Sequence, residues 1–202
     1  MSVILGHKDT DKIYLAADNR LSTPNEEFIS DDAKKIIIIN DCLAVACAGN
    51  YAAQVMFEKG IKSIKNKKAQ DLRIEDVLLH LDAMYLSFEI NKDKDYAKNI
   101  LNMTSDFIVA GKDQYNESCI YAVSYVDGKL GRTKTDSILF PPSDLSMDIC
   151  AHIYVRNIKC KYEDFMQKTI KEIAVNSKVV SPSGDIWIYD IKNGKSTLEY
   201  FA

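Results

Sequence analysis

The chain opens on short apolar runs. Residues 3–6 and 13–17 are apolar and a polar turn at 7–12 separates them, so residues 2–18 predict a β-hairpin. A second pair of runs, 36–39 and 43–48, flanks Asn40 and Asp41. These runs are apolar throughout rather than alternating, the pattern of strands covered by another layer on both faces. After Gly49 the period changes. Ala52, Ala53, Met56, Phe57, Ile61 and Ile64 recur at helical spacing, and a second helix follows the region of Asp71 with Ile74, Val77, Leu78, Leu81, Met84, Tyr85 and Phe88 as its stripe. His80 lies off that stripe and is expected to face solvent. Strands return at 106–110 and 119–126, with a turn at 126–129 closing a hairpin. Pro141 and Pro142 break the chain; two helices are then expected over 143–157 and 162–175, with Ser143 and Tyr162-Glu163 as their starts. A last hairpin is expected from 185–191 and 197–201 around Asn193-Gly194.

Strands, two helices, strands, two helices, strands is an α+β order rather than a βαβ one. Two stacked antiparallel sheets with a helix pair on each outer face, a four-layer αββα sandwich, would explain strands that look buried twice. No linker, repeat or low-complexity stretch interrupts the 202 residues, so one domain over 1–202 is expected.

Composition narrows the function classes. With 27% charged residues and a net charge of −3, the chain has no basic footprint for nucleic acid, and the lysines between 59 and 68 read as a solvated helix end and loop. Five cysteines, an odd number without a CxxC, read as small buried hydrophobes in a reducing compartment rather than as disulfides or a zinc site. No apolar stretch is long enough to span a membrane, and no secretory leader is evident. The expected location is cytoplasmic.

Four short pieces carry the candidate chemistry: Ser2, "AADNR" at 16–20, Lys34-Lys35, and "AGN" at 48–50. A seryl hydroxyl needs a base. Were Met1 removed, the α-amine of Ser2, with an ordinary pKa of ~7.7–8.0, would lie in the same residue. Asp18 ends an apolar strand behind two alanines small enough to let another backbone pack closely, and it needs a cationic partner. Lys35, adjacent to the apolar run 36–39, is drawn in with it. A partly buried ammonium there would favour a neutral amine and an ionised hydroxyl. Gly49 stands between a strand and a helix, where its N–H could hold an oxyanion. Each piece also has a plain structural reading: a common Met-Ser start, a structural Asp–Lys pair, a tight turn. Nucleotide-binding, zinc-protease and nucleophile-elbow motifs are absent, and His7, His80 and His152 show no ligand spacing.

With "AADNR", "ISDDAKKIIIIN" and "LAVACAGNYAA" the first fifty residues resemble proteasome β-subunits and the related bacterial ring protease that works with an ATP-driven unfoldase. The segments "DFIVAGKDQYNESCIYAVSYVDGKL" and "SGDIWIYDI" resemble later parts of the same fold. Counting back from Asp18 sets Ser2 on the family's N-terminal nucleophile. Lys35 then falls on its catalytic Lys after a one-residue insertion, and Gly49 on its oxyanion glycine. The resemblance implies the αββα fold, catalysis by Ser2, Asp18, Lys35 and Gly49, and assembly into a homo-oligomeric ring. It also implies a possible ATP-driven unfoldase partner and no metal or organic cofactor. Peptide substrate would add as a strand between Ser22 and Gly49–Tyr51. The side chain before the scissile bond would meet Leu21, Ala33, Cys47 and Tyr51, an apolar or neutral set.

Three departures accompany the resemblance. The nucleophile would be Ser rather than the family's usual Thr, without the methyl group that restricts the rotamer. The family's Gly-Ser-Gly-Ser stretch reads Leu139-Phe140-Pro141-Pro142-Ser143-Asp144 here, and no carboxylate occurs from Asn176 to Pro182. Ser181 or Ser183 is left as the candidate substitute. The leading expectation is a cytoplasmic hydrolase of peptide or other amide bonds. The alternatives are a catalytically silent ring subunit or scaffold, and an amidase acting on a small metabolite.

Overall fold

The computed structural model describes residues 2–23, 25–126, 128–160 and 164–202, and the side chains of all of these except 65–68. One sheet is built from β1 (Ile4–Lys8), β2 (Lys12–Asp18), β10 (Ser137–Phe140), β11 (Gly184–Asp190) and β12 (Lys195–Phe201) in the order β10-β1-β2-β11-β12. The other holds β5 (Ile36–Asn40), β6 (Leu43–Gly49), β7 (Ser105–Lys112), β8 (Ser118–Val126) and β9 (Lys129–Thr135) in chain order. Every pairing is antiparallel. Helices α1 (Tyr51–Lys68), α2 (Ile74–Ile90) and α3 (Asp95–Leu101) belong to the layer outside the second sheet, and α4 (Met147–Lys159) and α5 (Phe165–Asn176) to the layer outside the first. The layers are αββα.

Strand alternation explains the doubly apolar runs. Along β6, Leu43, Val45 and Cys47 point into the helix-side core with Phe57, Val77 and Leu81, while Ala44 and Ala46 face the other sheet. Along β11, Ile186 packs toward α4 and α5, whereas Trp187 and Tyr189 fill the space between the sheets. Small alanines on one inner face thus meet the two largest fully buried side chains on the other, which lets the sheets pack closely. In β2, Ala17 serves the same end, while Ala16 lies on the side of α4 and α5. Gly184 pairs with Asp18, and a Cβ at Gly184 would lie 2.3 Å from the Ala17 carbonyl oxygen.

Several expectations are corrected. Helix α3 was not foreseen, because seven residues with only Ala97 and Ile100 buried give no helical stripe. A short hairpin, β3 (Leu21–Ser22) with β4 (Phe28–Ser30), was missed for the same shortage of pattern. Strand β10 joins β1 just before the two prolines. Helix α4 is capped by Ser146, whose side chain accepts from the Ile149 N–H, so Ser143 is not its start. The expected start at Tyr162-Glu163 lies outside the described residues, as does Asp127 of the 126–129 turn. His80 does not simply face solvent: its ring packs against Phe57 and over Gly60, where a Cβ would lie 2.3 Å from the imidazole. Of the cysteines, Cys47, Cys119 and Cys150 are buried but Cys160 is exposed.

Candidate active site

Asp18, the last residue of β2, is fully buried. One carboxylate oxygen accepts from the Lys35 ammonium at 3.0 Å and from the Val3 N–H at 3.0 Å. The other accepts from the Arg20 N–H at 2.9 Å and the Ser181 N–H at 3.2 Å. Four donors from four segments satisfy a charge that burial alone would make very costly. Lys35, 4% exposed, also donates to the Arg20 carbonyl at 2.6 Å. The Ser2 hydroxyl donates to the same carbonyl at 3.4 Å. Ser2 and Lys35 therefore meet over one backbone oxygen, with Asp18 behind the ammonium. Burial holds the Lys35 amine below its ordinary value, with Asp18 pulling the other way. Its neighbour Lys34 points to the opposite side of the strand entry and pairs with Asp185 at 3.2 Å, so the two adjacent lysines serve different carboxylates.

The backbone at Arg20 is itself anchored. The guanidinium grips Asp31 through two bonds of 2.8 and 2.9 Å, donates to the Lys178 carbonyl at 3.0 Å, and sits 5.4 Å from the Phe28 ring centre. The hydrogen bond from Arg20 holds the Asp31 carboxyl below its usual value. On the far side, Asp144 accepts from the Ser177 hydroxyl and the Lys178 N–H, each at 2.7 Å. Ser181 and Ser183 share a hydroxyl contact of 2.8 Å, and the Ser183 carbonyl accepts from the Asn19 N–H at 3.1 Å. The segment that lacks a carboxylate of its own receives one from Asp144.

Gly49 ends β6 with φ +89°, a conformation that favours glycine, and a Cβ there would lie 2.4 Å from the Thr104 carbonyl oxygen. The Lys35 carbonyl accepts from the Cys47 N–H at 2.9 Å, so Gly49 lies two residues, about 7 Å, along the strand from the register of Lys35. Asn50 then caps α1 by accepting from the Ala52 N–H. Between β3 and this helix start lies a cavity of about 360 Å³. Leu21, Ser22, Gly49 and Tyr51 line it, and so do Glu26 and Ser143. Ala33 and Cys47 do not. Cys47 is 1% exposed and turned by strand alternation into the helix-side core, where burial pushes its thiol up. Ala33 is buried beside Asn19, whose carbonyl accepts its N–H. Among the described residues, no group of three or more His, Cys, Asp or Glu side chains is arranged to hold a metal, and no helix is long and apolar enough to cross a membrane.

Sequence reasoning missed the Arg20 carbonyl, the Asp144 carboxylate and Glu26, and it named Ser181 as a candidate without showing that its N–H is the group that reaches Asp18. The Arg20 carbonyl and the Ser181 N–H are backbone groups, which every non-proline residue carries and no residue type signals. Asp144 acts across 33 positions of chain, and no local spacing encodes that. For Glu26, the only signal was its place in the polar stretch before Phe28.

Stacked antiparallel sheets between helix layers, with a serine, a buried lysine and a buried aspartate gathered at one strand end, define an N-terminal-nucleophile hydrolase sandwich. The proteasome subunit family model matches residues 2–126, and the chain belongs to that family, as a proteasome β-subunit-like protein. Subunits of this family typically form oligomeric rings. Comparison with individually curated proteins gives no match.

Proposed function

We propose that the protein is a peptide-bond or amide hydrolase whose nucleophile is the Ser2 hydroxyl, freed as the chain terminus by removal of Met1. The α-amine of Ser2 takes the hydroxyl proton as the oxygen attacks the substrate carbonyl, then passes it to the leaving amine. Water hydrolyses the resulting ester by the same route. Lys35 keeps the amine neutral and stabilises charge on the serine oxygen, Asp18 orients Lys35, and the Gly49 N–H receives the oxyanion. Leu21, Ser22 and Tyr51 contact the peptide. The whole of residues 1–202, less Met1 once it is removed, acts as one domain in a cytoplasmic homo-oligomeric ring, with an ATP-driven unfoldase as its feeding partner. The observation that carries this reading is the meeting of the Ser2 hydroxyl and the Lys35 ammonium on the Arg20 carbonyl.

The test is intact mass combined with labelling by a peptide epoxyketone, an electrophile that needs a free terminal serine. The expected result is a mature chain beginning at Ser2 that labels, and a Ser2→Ala variant that does not. A protein that uniformly keeps Met1 and never labels overturns the reading.

Two observations favour the silent ring subunit. The Asp18 carboxylate ties together the backbones at Val3, Arg20 and Ser181, and sterics alone account for the glycine at 49. Both features hold the fold without any reaction, and the same labelling experiment separates the two readings.

A further inference from the structure

The cavity beside the candidate site is electrically lopsided. Its described lining residues are neutral except Glu26. This glutamate sits in the turn between β3 and β4 with φ +66°, a left-handed conformation that glycine adopts freely and a glutamate does not. The turn is closed by its own backbone. The Glu26 N–H donates to the Thr23 carbonyl at 3.0 Å, and the Thr23 N–H to the Glu27 carbonyl at 2.8 Å. A glycine would close it with less strain. The glutamate's distinct contribution is its carboxylate, which accepts from the Ser143 hydroxyl at 3.1 Å. Ser143 is free for this because Ser146 caps α4. The contact carries the carboxylate from the hairpin to the opposite wall, beside the space that Leu21, Gly49 and Tyr51 border. A carboxylate has about four acceptor positions, and Ser143 uses one of them. Among the described residues no cationic side chain pairs with it.

We infer that Glu26 makes this groove select peptides carrying a lysine or arginine side chain close to the bond to be cut. This selectivity rests on the peptide-cleaving reading of the same groove and names its substrate class. The residue directly before the scissile bond meets Leu21 and Tyr51 and stays uncharged; the cationic side chain belongs to a neighbouring position and reaches across to Glu26. The residual acceptor positions of the carboxylate receive an ammonium or a guanidinium.

The test uses the Ser2→Ala protein and fluorescent peptides that differ only in carrying lysine, arginine, glutamate or norleucine, the substitution being scanned through positions on both sides of an apolar anchor residue. Binding is read by anisotropy at low and high ionic strength. The expected result is one position where lysine or arginine binds about fivefold tighter than norleucine, as suits a solvent-accessible ion pair, with the advantage shrinking in salt. Glu26→Gln should remove the advantage and Glu26→Lys should turn it toward a glutamate-bearing peptide. An advantage below about twofold at every position, too little to select among peptides, or one that survives in Glu26→Gln, overturns the inference. Wild-type cleavage of the same peptides runs in parallel. Selective binding without cleavage or Ser2 labelling defeats the hydrolase reading and leaves the selectivity standing. Cleavage indifferent to the lysine defeats the selectivity alone. Absence of any peptide binding defeats both.

Discussion

The family match ends at Val126, and the molecule on either side of that point contributes to the site in different currencies. Ser2, Asp18, Lys35 and Gly49 all lie in the matched part, and there side-chain identity matters: a carboxylate, an ammonium, a hydroxyl, and a residue without a side chain. The later part reaches the same place mainly through its backbone. The Ser181 N–H donates to Asp18, the Lys178 carbonyl accepts from Arg20, and β11 lies against β2 by ladder hydrogen bonds. A backbone group survives almost any substitution, so geometry can persist where residue types drift. The comparison teaches that backbone groups carrying no recognisable motif can frame a site whose side chains all come from the matched part.

The sharpest way to break the comparison is at Lys35. Lys35→Ala leaves a fully buried carboxylate without its cation, which should destabilise the fold by about 3–5 kcal/mol and abolish epoxyketone labelling. Urea denaturation measures the first and mass spectrometry the second. A variant that keeps its stability but loses labelling would assign the pair to chemistry alone. A variant that labels normally would remove Lys35 from the mechanism.

Gly49→Ala comes next. The added Cβ meets the Thr104 carbonyl at 2.4 Å in a backbone with φ +89°. Relief needs movement of the strand end or of residue 104, at a cost of about 1–3 kcal/mol. A midpoint in urea unchanged from wild type would show that the turn relaxes freely, and the steric account of this glycine would fall.

The later part has one side chain on which its contribution leans. Asp144 receives the Ser177 hydroxyl and the Lys178 N–H, and the Lys178 carbonyl in turn holds Arg20. Asp144→Ala should cost about 1.5–3 kcal/mol, the scale of one charge-assisted bond, because the bond to the Ser177 hydroxyl is part-buried while that to the Lys178 N–H is exposed and adds little, and it should speed hydrogen exchange at the Lys178 amide. If it instead costs as much as Lys35→Ala, the two parts of the chain are not contributing in different ways.

How much could be read in advance follows the same division. The αββα layers were legible because runs such as 36–39 and 43–48 are apolar on both faces, and only a strand between two layers tolerates that. Helix α3 and the β3–β4 hairpin were not, because each buries too few residues to leave a period. At the site, an aspartate ending a buried strand called for a cation, and the lysine opening the next apolar run meets it at 3.0 Å. Cys47 misled because its neighbours in sequence said nothing of which face of β6 it occupies; the alternation of Val45, Ala46 and Cys47 turns it into the core, away from the cavity. Asp144 and Ser181 reach Asp18 and its neighbours only through the folded chain.

The smallest expected effect lies on the acid side of the stability profile. Arg20 holds the Asp31 carboxyl below its ordinary value of 3.8 in the folded protein. Between the folded and unfolded values the unfolded chain therefore binds more protons, and stability falls as pH falls. The contribution is fully present above the unfolded value and is lost as pH drops through the folded one. Because the pair is partly open to solvent, its size is about 1 kcal/mol or less. Asp31→Asn removes it at every pH. Stability curves of the two proteins, measured from about pH 6 down to about pH 2, should run apart at the upper end and converge in acid. Curves that stay parallel would mean that the grip of Arg20 on Asp31 adds no stability that depends on the Asp31 charge, and would leave the Lys178 carbonyl, from the later part of the chain, as the remaining hydrogen-bond acceptor of that guanidinium.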